Sequence, residues 1–565
     1  MNGLQPFGAI PEGKIRIAAT GRAVFQRSLS RCVTERVARR IWDGDHTLWK
    51  PEPAGIANRL GWLRSPVAMR AELGRIGEFV ESVRRDGIAD VLLLGMGGSS
   101  LAPELFSTTF GTTPGHPRVT VLDCTDPGAV QAAARRFAPR TTLYLVSTKS
   151  GGTVETLAFF KFFYGLALEH LGHDGAGAHF AAVTDPGSSL EATARNLGVR
   201  EVFLNDPDIG GRFSALTFFG LLPAALAGVD LVRLLDRADA MVARCAAGAP
   251  ADANPGLTLG ALVAGLALDG RDTLTLVCSN RIRGFGAWAE QLIAESTGKE
   301  GKGILPVDGE SFAADRHFGA DRLFVFLLLE GDRTYDERLA GVGGAGHPVL
   351  ELRIADPYDL GGELFRWEFA TAVMGSLLAV NPFDQPDVES AKIEANRALA
   401  VYREQGALPA TTEAIPAATA AAAIARLLEA GRPGDYVAVQ AFVDPAGFAV
   451  AVREFGEVLG ARSGCAVTIG YGPRFLHSTG QLHKGGPPRG MFIQLVTENP
   501  VDVAIPDDFG TRSGSVGFGV LKTAQSLGDL RALEAVRRRV LRVNLGEAGA
   551  AAAARLGEIT RALRA

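Results

Sequence analysis

The run VLLLGMGGSS, residues 91–100, decides the fold. Consecutive apolar residues that stop in glycines read as a strand buried on both faces, ending in a tight turn. Ahead of it, AELGRIGEFVESVRRDG (71–87) carries apolar residues three and four apart, the period of an amphipathic helix. Behind it, VTVLDC (119–124), TLYLVSTKSGG (142–152) and FAAVTDPGSS (180–189) repeat the same pattern. Each is a short apolar run stopping in Gly, Ser, Thr, Asp or Pro, and helical stretches such as 128–138 and 153–172 separate them. Strands alternating with helices imply a parallel, doubly wound sheet with its loops at the strand C-termini.

A second cycle begins near Pro255, with strands expected at 273–280, 322–330 and 348–356 and helices at 287–297 and 361–380. A third follows the Ala/Thr-rich stretch 409–423, which reads as a linker or a plain Ala-rich helix. Its strands are YVAVQAFV (436–443), VTIGYG (467–472) and MFIQLV (491–496), and an Arg-rich helical tail closes the chain. The pattern divides the chain into a helical segment (1–70), a first α/β domain (71–250), a second (251–410) and a C-terminal α/β segment (411–565). At roughly 150 residues per unit, 565 residues also give three to four units.

Composition narrows the function. The 58 Lys+Arg and 62 Asp+Glu leave a formal charge of -4, which argues against a nucleic-acid coat or a polybasic membrane binder. The five cysteines contain no C-x-x-C pair, so zinc ribbons and disulfide scaffolds fail on spacing and a reducing compartment fits. The opening residues lack an apolar leader core, and the apolar stretch 213–229 is too short for a spanning helix. The expectation is a cytoplasmic protein acting on a small molecule, with no membrane or nucleic-acid partner.

Two loops carry an anion-binding signature. In the first, Gly97, Gly98 and Ser99 follow a buried strand and open a helix, where freed backbone N–H groups attract negative charge. In the second, Ser147-Thr148-Lys149-Ser150-Gly151-Gly152-Thr153 gathers hydroxyls, a lysine and glycines in one loop. Neither has the order of a P-loop or a dinucleotide fingerprint.

Taken together, these loops resemble the sugar isomerase (SIS) domain that binds phosphosugars, and the whole set resembles the glucose-6-phosphate isomerase family. Gly210-Gly211-Arg212-Phe213-Ser214 matches that family's Gly-Gly-Arg-(aromatic)-Ser motif, and Ala294-Glu295-Ser296-Thr297-Gly298-Lys299 its Glu-Ser-x-Gly-Lys motif. Asn381 to Glu389 with Lys392 resembles its Phe-Asp-Gln-x-x-Val-Glu-x-x-Lys segment. The passages DHTLW (45–49), NRLGWL (58–63) and YGPRFLHSTGQLHKGGP (471–487) are similar to the isomerase half of transaldolase/glucose-6-phosphate isomerase fusions. The transaldolase half is not expected here, since about 70 residues cannot hold a (β/α)₈ barrel of ~250.

The resemblance implies two SIS-type doubly wound domains plus the C-terminal α/β segment, and an aldose–ketose isomerase acting through a cis-enediolate without metal or redox cofactor. It implies Glu295 as the base, Arg212 as the cation beside the enediolate, and Lys392 at the sugar ring with Gln385. Gly98, Ser99, Thr148, Lys149, Ser150 and Thr153 would hold the phosphate. The family opens the sugar ring with a histidine in a Gly-Gln-His segment between the Glu and Lys motifs. Here that stretch offers only His317, and a similar string, His477-Ser478-Thr479-Gly480-Gln481-Leu482-His483-Lys484, comes after Lys392. His483, with His477 as the alternative, is expected to take that role, and Gln481 to bind substrate. The resemblance also allows a homodimer in which this loop serves a neighbouring subunit. Competing readings are an isomerase of another phosphosugar, such as mannose 6-phosphate, and a non-catalytic phosphosugar sensor. A sensor has no reason to keep Glu295, Arg212 and Lys392 together.

Overall fold

Buried apolar runs become the strands of three sheets. The computed structural model describes residues 6–10, 13–312, 317–409 and 414–564. In chain order the strands are β1 (Pro6–Ile10), β2 (Gly13–Arg16), β3 (Asp90–Gly95), β4 (Arg118–Leu122), β5 (Thr142–Ser147), β6 (Phe180–Thr184) and β7 (Glu201–Leu204). Then come β8 (Thr273–Cys278), β9 (Leu305–Asp308), β10 (Arg322–Leu329), β11 (Val349–Ile354), β12 (Ile415–Pro416) and β13 (Tyr436–Phe442). The last are β14 (Ala466–Tyr471), β15 (Gly490–Glu498), β16 (Ala504–Ile505), β17 (Val516–Gly517) and β18 (Arg539–Glu547).

The first sheet runs β4-β3-β5-β6-β7 and is parallel throughout. The second runs β1-β2-β11-β10-β8-β9, with a parallel body and an antiparallel hairpin on its edge. The third, β12-β18-β15-β13-β14, is again parallel, and β16 and β17 form a small antiparallel ribbon. Both doubly wound domains and the C-terminal α/β segment are thus present. Two details of the sequence reading are corrected. The first 70 residues are not helical throughout, because β1 and β2 cross over to the second sheet. The Arg-rich tail is not all helix, because RVLRVNLGE (539–547) forms β18 between two helices. The Ala-rich stretch does form a helix, Ala417–Glu429, with residues 410–413 outside the described set.

The Trp-rich passage near the start has a packing purpose. Trp62 is fully buried against Phe213 (ring centroids 5.3 Å apart), and Trp49 meets Phe383 edge-on at 5.1 Å. Phe213 and Phe383 also touch each other at 5.3 Å. Arg212 and Asp384 are the next residues along the chain, so this aromatic cluster fixes where their backbones stand.

The third sheet is joined to the first by the helix Phe518–Ala535. Lys522 Nζ lies 2.7 Å from Asp126 Oδ2, both side chains at most 4% exposed, and Asp126 also caps the helix Pro127–Arg136 through Gly128 N. Removing one partner of a buried pair leaves an uncompensated charge. Asp126→Ala is therefore expected to cost about 3–5 kcal/mol in urea denaturation, and Asp126→Ala with Lys522→Met to recover much of that loss. Additive losses in the double variant would contradict this account of the seam.

Candidate functional site

Arg212 sits in a single 3₁₀ turn after two glycines, on a loop that meets the first-sheet turn. A Cβ on Gly98 would lie 2.0 Å from Gly211 O, so only glycine lets the two loops touch. Its guanidinium is 3% exposed. It donates to Ser296 Oγ (2.8 Å), Pro382 O (2.7 Å), Asp384 O (2.9 Å) and Gln385 Oε1 (3.1 Å). Glu295 Oε1 stands 3.4 Å from it. Burial pulls the Arg212 pKa down, and the Glu295 carboxylate opposes that pull.

Glu295 is near the end of the helix Gly284–Thr297, which Gly298 terminates. A Cβ on Gly298 would come within 2.4 Å of Leu482 Cα, so this glycine also admits the third-domain helix Gly480–Gly485. Gln291, one turn earlier, donates from Nε2 to Glu295 Oε2 at 3.2 Å and to His477 O at 2.7 Å. It ties the base to the histidine loop. On the other side, Lys299 Nζ binds Asp384 O (2.6 Å) and Oδ1 (2.7 Å), and burial with Arg212 nearby lowers its pKa to about 8.

His477, whose carbonyl Gln291 binds, lines a cavity of about 190 Å³ with Ser150, Thr153, Glu155, Lys392 and Gln525 among its other walls. Thr153 shares a 2.9 Å hydrogen bond with Thr148, which stiffens the hydroxyl loop. Lys392 is exposed at the mouth, with Glu389 Oε2 at 3.5 Å. His477 Nε2 is 2.8 Å from Glu155 Oε1, which also accepts from Gln525 Nε2 at 2.6 Å. Burial alone would raise the Glu155 pKa, but His477, a backbone hydrogen bond and Gln525 together hold the carboxyl below its usual value. All of these groups come from one chain.

A family model described as phosphoglucose isomerase matches residues 69–309. A glucose-6-phosphate isomerase of Rubrobacter xylanophilus is 32% identical over 59% of this chain and 87% of its own length. The chain belongs to the phosphoglucose isomerase family. A Thermus thermophilus relative, also called glucose-6-phosphate isomerase, is 31% identical over 60% of this chain and 90% of its own. Among solved structures, a hypothetical protein of Thermus thermophilus aligns with TM-score 0.56 and 28% identity, covering 68% of this chain and all of that one. A glucose-6-phosphate isomerase of Chlamydia trachomatis shares the fold, with TM-score 0.53, 21% identity, and coverage of 70% and 90%. The family model's match ends before Lys392 and His477.

The structure gathers Glu295, Arg212 and Gln385 in one cluster, and Ser150, Thr153, Lys392 and His477 around the adjoining cavity. Gly98, Ser99 and Thr148 build the loops behind: Ser147 Oγ donates to Ser99 O at 3.3 Å, and Thr148 is buried. Lys149 turns away, its ammonium paired with Asp185 and hydrogen-bonded to Pro207 O at 2.9 Å. Gln481 is fully buried, accepting from Asp387 N and donating to Gly298 O, both at 2.9 Å, so it pins the Lys392 segment to the Glu295 helix.

The histidine at the cavity is His477, not His483. His483 is 3% exposed, with the rings of Phe492, Phe475 and Tyr436 at 5.0, 5.9 and 6.4 Å. Burial, with Lys484 and Arg538 nearby, drives its pKa well down. A buried neutral ring has no route to a sugar oxygen. Glu290 lies on the same helix as Glu295, where burial and Asp308 push its carboxyl up to about 8. Gln291, Glu155 and Gln525 are site residues that the sequence reading did not single out. Among the described residues, no group of three or more His, Cys, Asp or Glu is placed to hold a metal ion, and no helix is long and apolar enough to cross a membrane.

Two outcomes follow from this geometry. Gly98→Ala should move the Arg212 loop and lower kcat/KM for the sugar phosphate by about 100-fold, with secondary structure by circular dichroism retained. Lys299 loses its proton as pH rises through about 8, releasing its hold on Asp384. An alkaline limb near that pH is expected in kcat/KM. Lys299→Arg should move the limb upward, because a guanidinium keeps its proton to about pH 12.

Proposed function

We propose that the protein is a glucose-6-phosphate isomerase, interconverting D-glucose 6-phosphate and D-fructose 6-phosphate through a cis-enediolate. The observation that supports this best is the Glu295 carboxylate, 3.4 Å from a buried Arg212 and linked through Gln291 to the loop carrying His477. His477 also lines a cavity together with the hydroxyl-bearing Ser150 and Thr153. A phosphate-binding sensor needs the cavity but not a carboxylate poised beside a buried cation.

In this reading, Ser150, Thr153 and the backbone around Gly152 take the phosphate, which aligns the distal carbons with Glu295. His477 donates a proton to the ring oxygen as the C1–O5 bond breaks, and the C1 hydroxyl releases its proton to water as the carbonyl forms. Glu155 holds the imidazole by its Nε2 for this step, and Lys392 brings positive charge to the same opening hemiacetal. Glu295 then removes the proton from C2, and the enediolate oxygens acquire negative charge beside Arg212. A fixed, buried guanidinium stabilises that charge without reorganisation. Glu295 returns the proton to C1, and ring closure reverses the first step.

A coupled assay of fructose 6-phosphate conversion, with mannose 6-phosphate run beside it, tests the function. Wild type should turn over fructose 6-phosphate, and Glu295→Gln should lose about 10³-fold or more of kcat. Equal rates for wild type and Glu295→Gln would contradict the mechanism, and no turnover by either would favour a sensor. The ring-opening step is separable by chain length. A four-carbon aldose 4-phosphate cannot close a ring through its phosphorylated oxygen. His477→Asn should lose about 100-fold on the hexose yet keep solvent-proton exchange on the four-carbon sugar, and His483→Asn should lose neither activity. Equal losses on both sugars would remove His477 from ring opening.

A further inference from the structure

The third sheet has a ligand crevice of its own. Its chain passes from β13 outward to the edge strand β14 and then returns to β15 on the other side of β13. Loops leaving β13 and β15 therefore diverge, and ligands of open α/β sheets bind where strand order reverses in this way. At that point lies a cavity of about 220 Å³. Phe442 ends β13 and Thr497 nears the end of β15 on its wall, with Arg542 from β18 and Lys522 and Ser526 from the helix Phe518–Ala535.

Among the described residues, one cation on that wall has no acid paired with it. Arg542 is 9% exposed and, among the described residues, has no carboxylate within ion-pair distance. Its guanidinium donates to two neutral groups, the Gln494 amide oxygen and Ser526 Oγ (3.1 Å). Burial lowers its pKa to about 10 with no acid to oppose it. Lys522 is neutralised once, by Asp126, and has Thr497 Oγ1 at 3.3 Å. The acid on the rim, Glu498, is held by Asn544 Nδ2 at 2.7 Å. A buried guanidinium without a counter-charge is costly, and its planar fork matches a tetrahedral oxyanion.

We propose that this cavity is a second anion site, taking inorganic phosphate or the phosphate of a small monoester, separate from the sugar-phosphate cavity. The same helix presents Lys522 and Ser526 here, while Gln525 between them reaches Glu155 in the sugar cavity. Occupancy of the site thus bears on the helix that holds the His477–Glu155 pair.

Equilibrium binding of labelled inorganic phosphate to the full chain tests the proposal without reference to turnover, so it stands or falls apart from the isomerase reading. Wild type should bind a second phosphate beyond the one at the Ser150–Thr153 loop. Thr523→Glu, which sets a carboxylate at the cavity mouth, and Arg542→Met should each weaken that second binding about tenfold or more and leave the first intact. Unchanged phosphate binding in either folded variant, or no phosphate on wild type beyond what both variants keep, would overturn the site. Glycerol 3-phosphate run in parallel separates the sources: tighter binding than phosphate at the Arg542 site identifies a monoester, and weaker binding identifies free phosphate.

Discussion

Everything at the site is organised around one buried cation. Arg212 reaches out of the first domain and spends its donors on Ser296, Pro382 O, Asp384 O and Gln385. These acceptors lie on two separate stretches of the second domain, so the guanidinium is the clasp between the two sheets. A buried charge of this kind is tolerated only when its hydrogen bonds are complete. Completing them fixes the loop 382–385 and the end of the Glu295 helix in one arrangement. Glu295 is then left as the charged neighbour, close enough to feel the cation and still partly open to substrate.

The aromatic cluster explains why that arrangement is rigid. Trp62 and Trp49, supplied by the first 70 residues, pack on Phe213 and Phe383, each one residue away from a member of the clasp. The third domain completes the site from the opposite side. Its loop carries His477 and its long helix carries Gln525, and both converge on Glu155, which belongs to the helix opened by the hydroxyl loop. The C-terminal segment is therefore a wall of the sugar cavity as well as a domain with a sheet of its own.

What could be read from the sequence was local. Strands such as VLLLG and TLYLVS announce themselves by continuous apolar character, and the loops after them by glycines and hydroxyls. Glu295, Arg212 and Gln385 could be placed together because each sits in a short motif that resembles one of the family's. Burial and long-range pairing were not legible. His477 and His483 share one loop, but only the fold shows that a 3₁₀ turn presents the first while a short helix turns the second into a nest of aromatic rings. Lys149 looks like a phosphate ligand until Asp185, a neighbour only across the sheet, is seen to hold it. Gln525 has no local signal at all, since its partner Glu155 is 370 residues away in the chain. The edge hairpin β1–β2 escaped for a related reason: its pairing partner β11 lies in another domain.

In the proposed mechanism the phosphate loop, the base and the ring-opening histidine meet on a single sugar. The most direct measurement is a crystal structure with an acyclic five-carbon sugar-acid phosphate, whose carboxylate mimics the enediolate. The account predicts its phosphate on Ser150 and Thr153, its carboxylate facing Glu295 and Arg212, and His477 of the same chain beside its hydroxyls. An analogue bound elsewhere, or bound with its carboxylate turned away from Glu295, would contradict it.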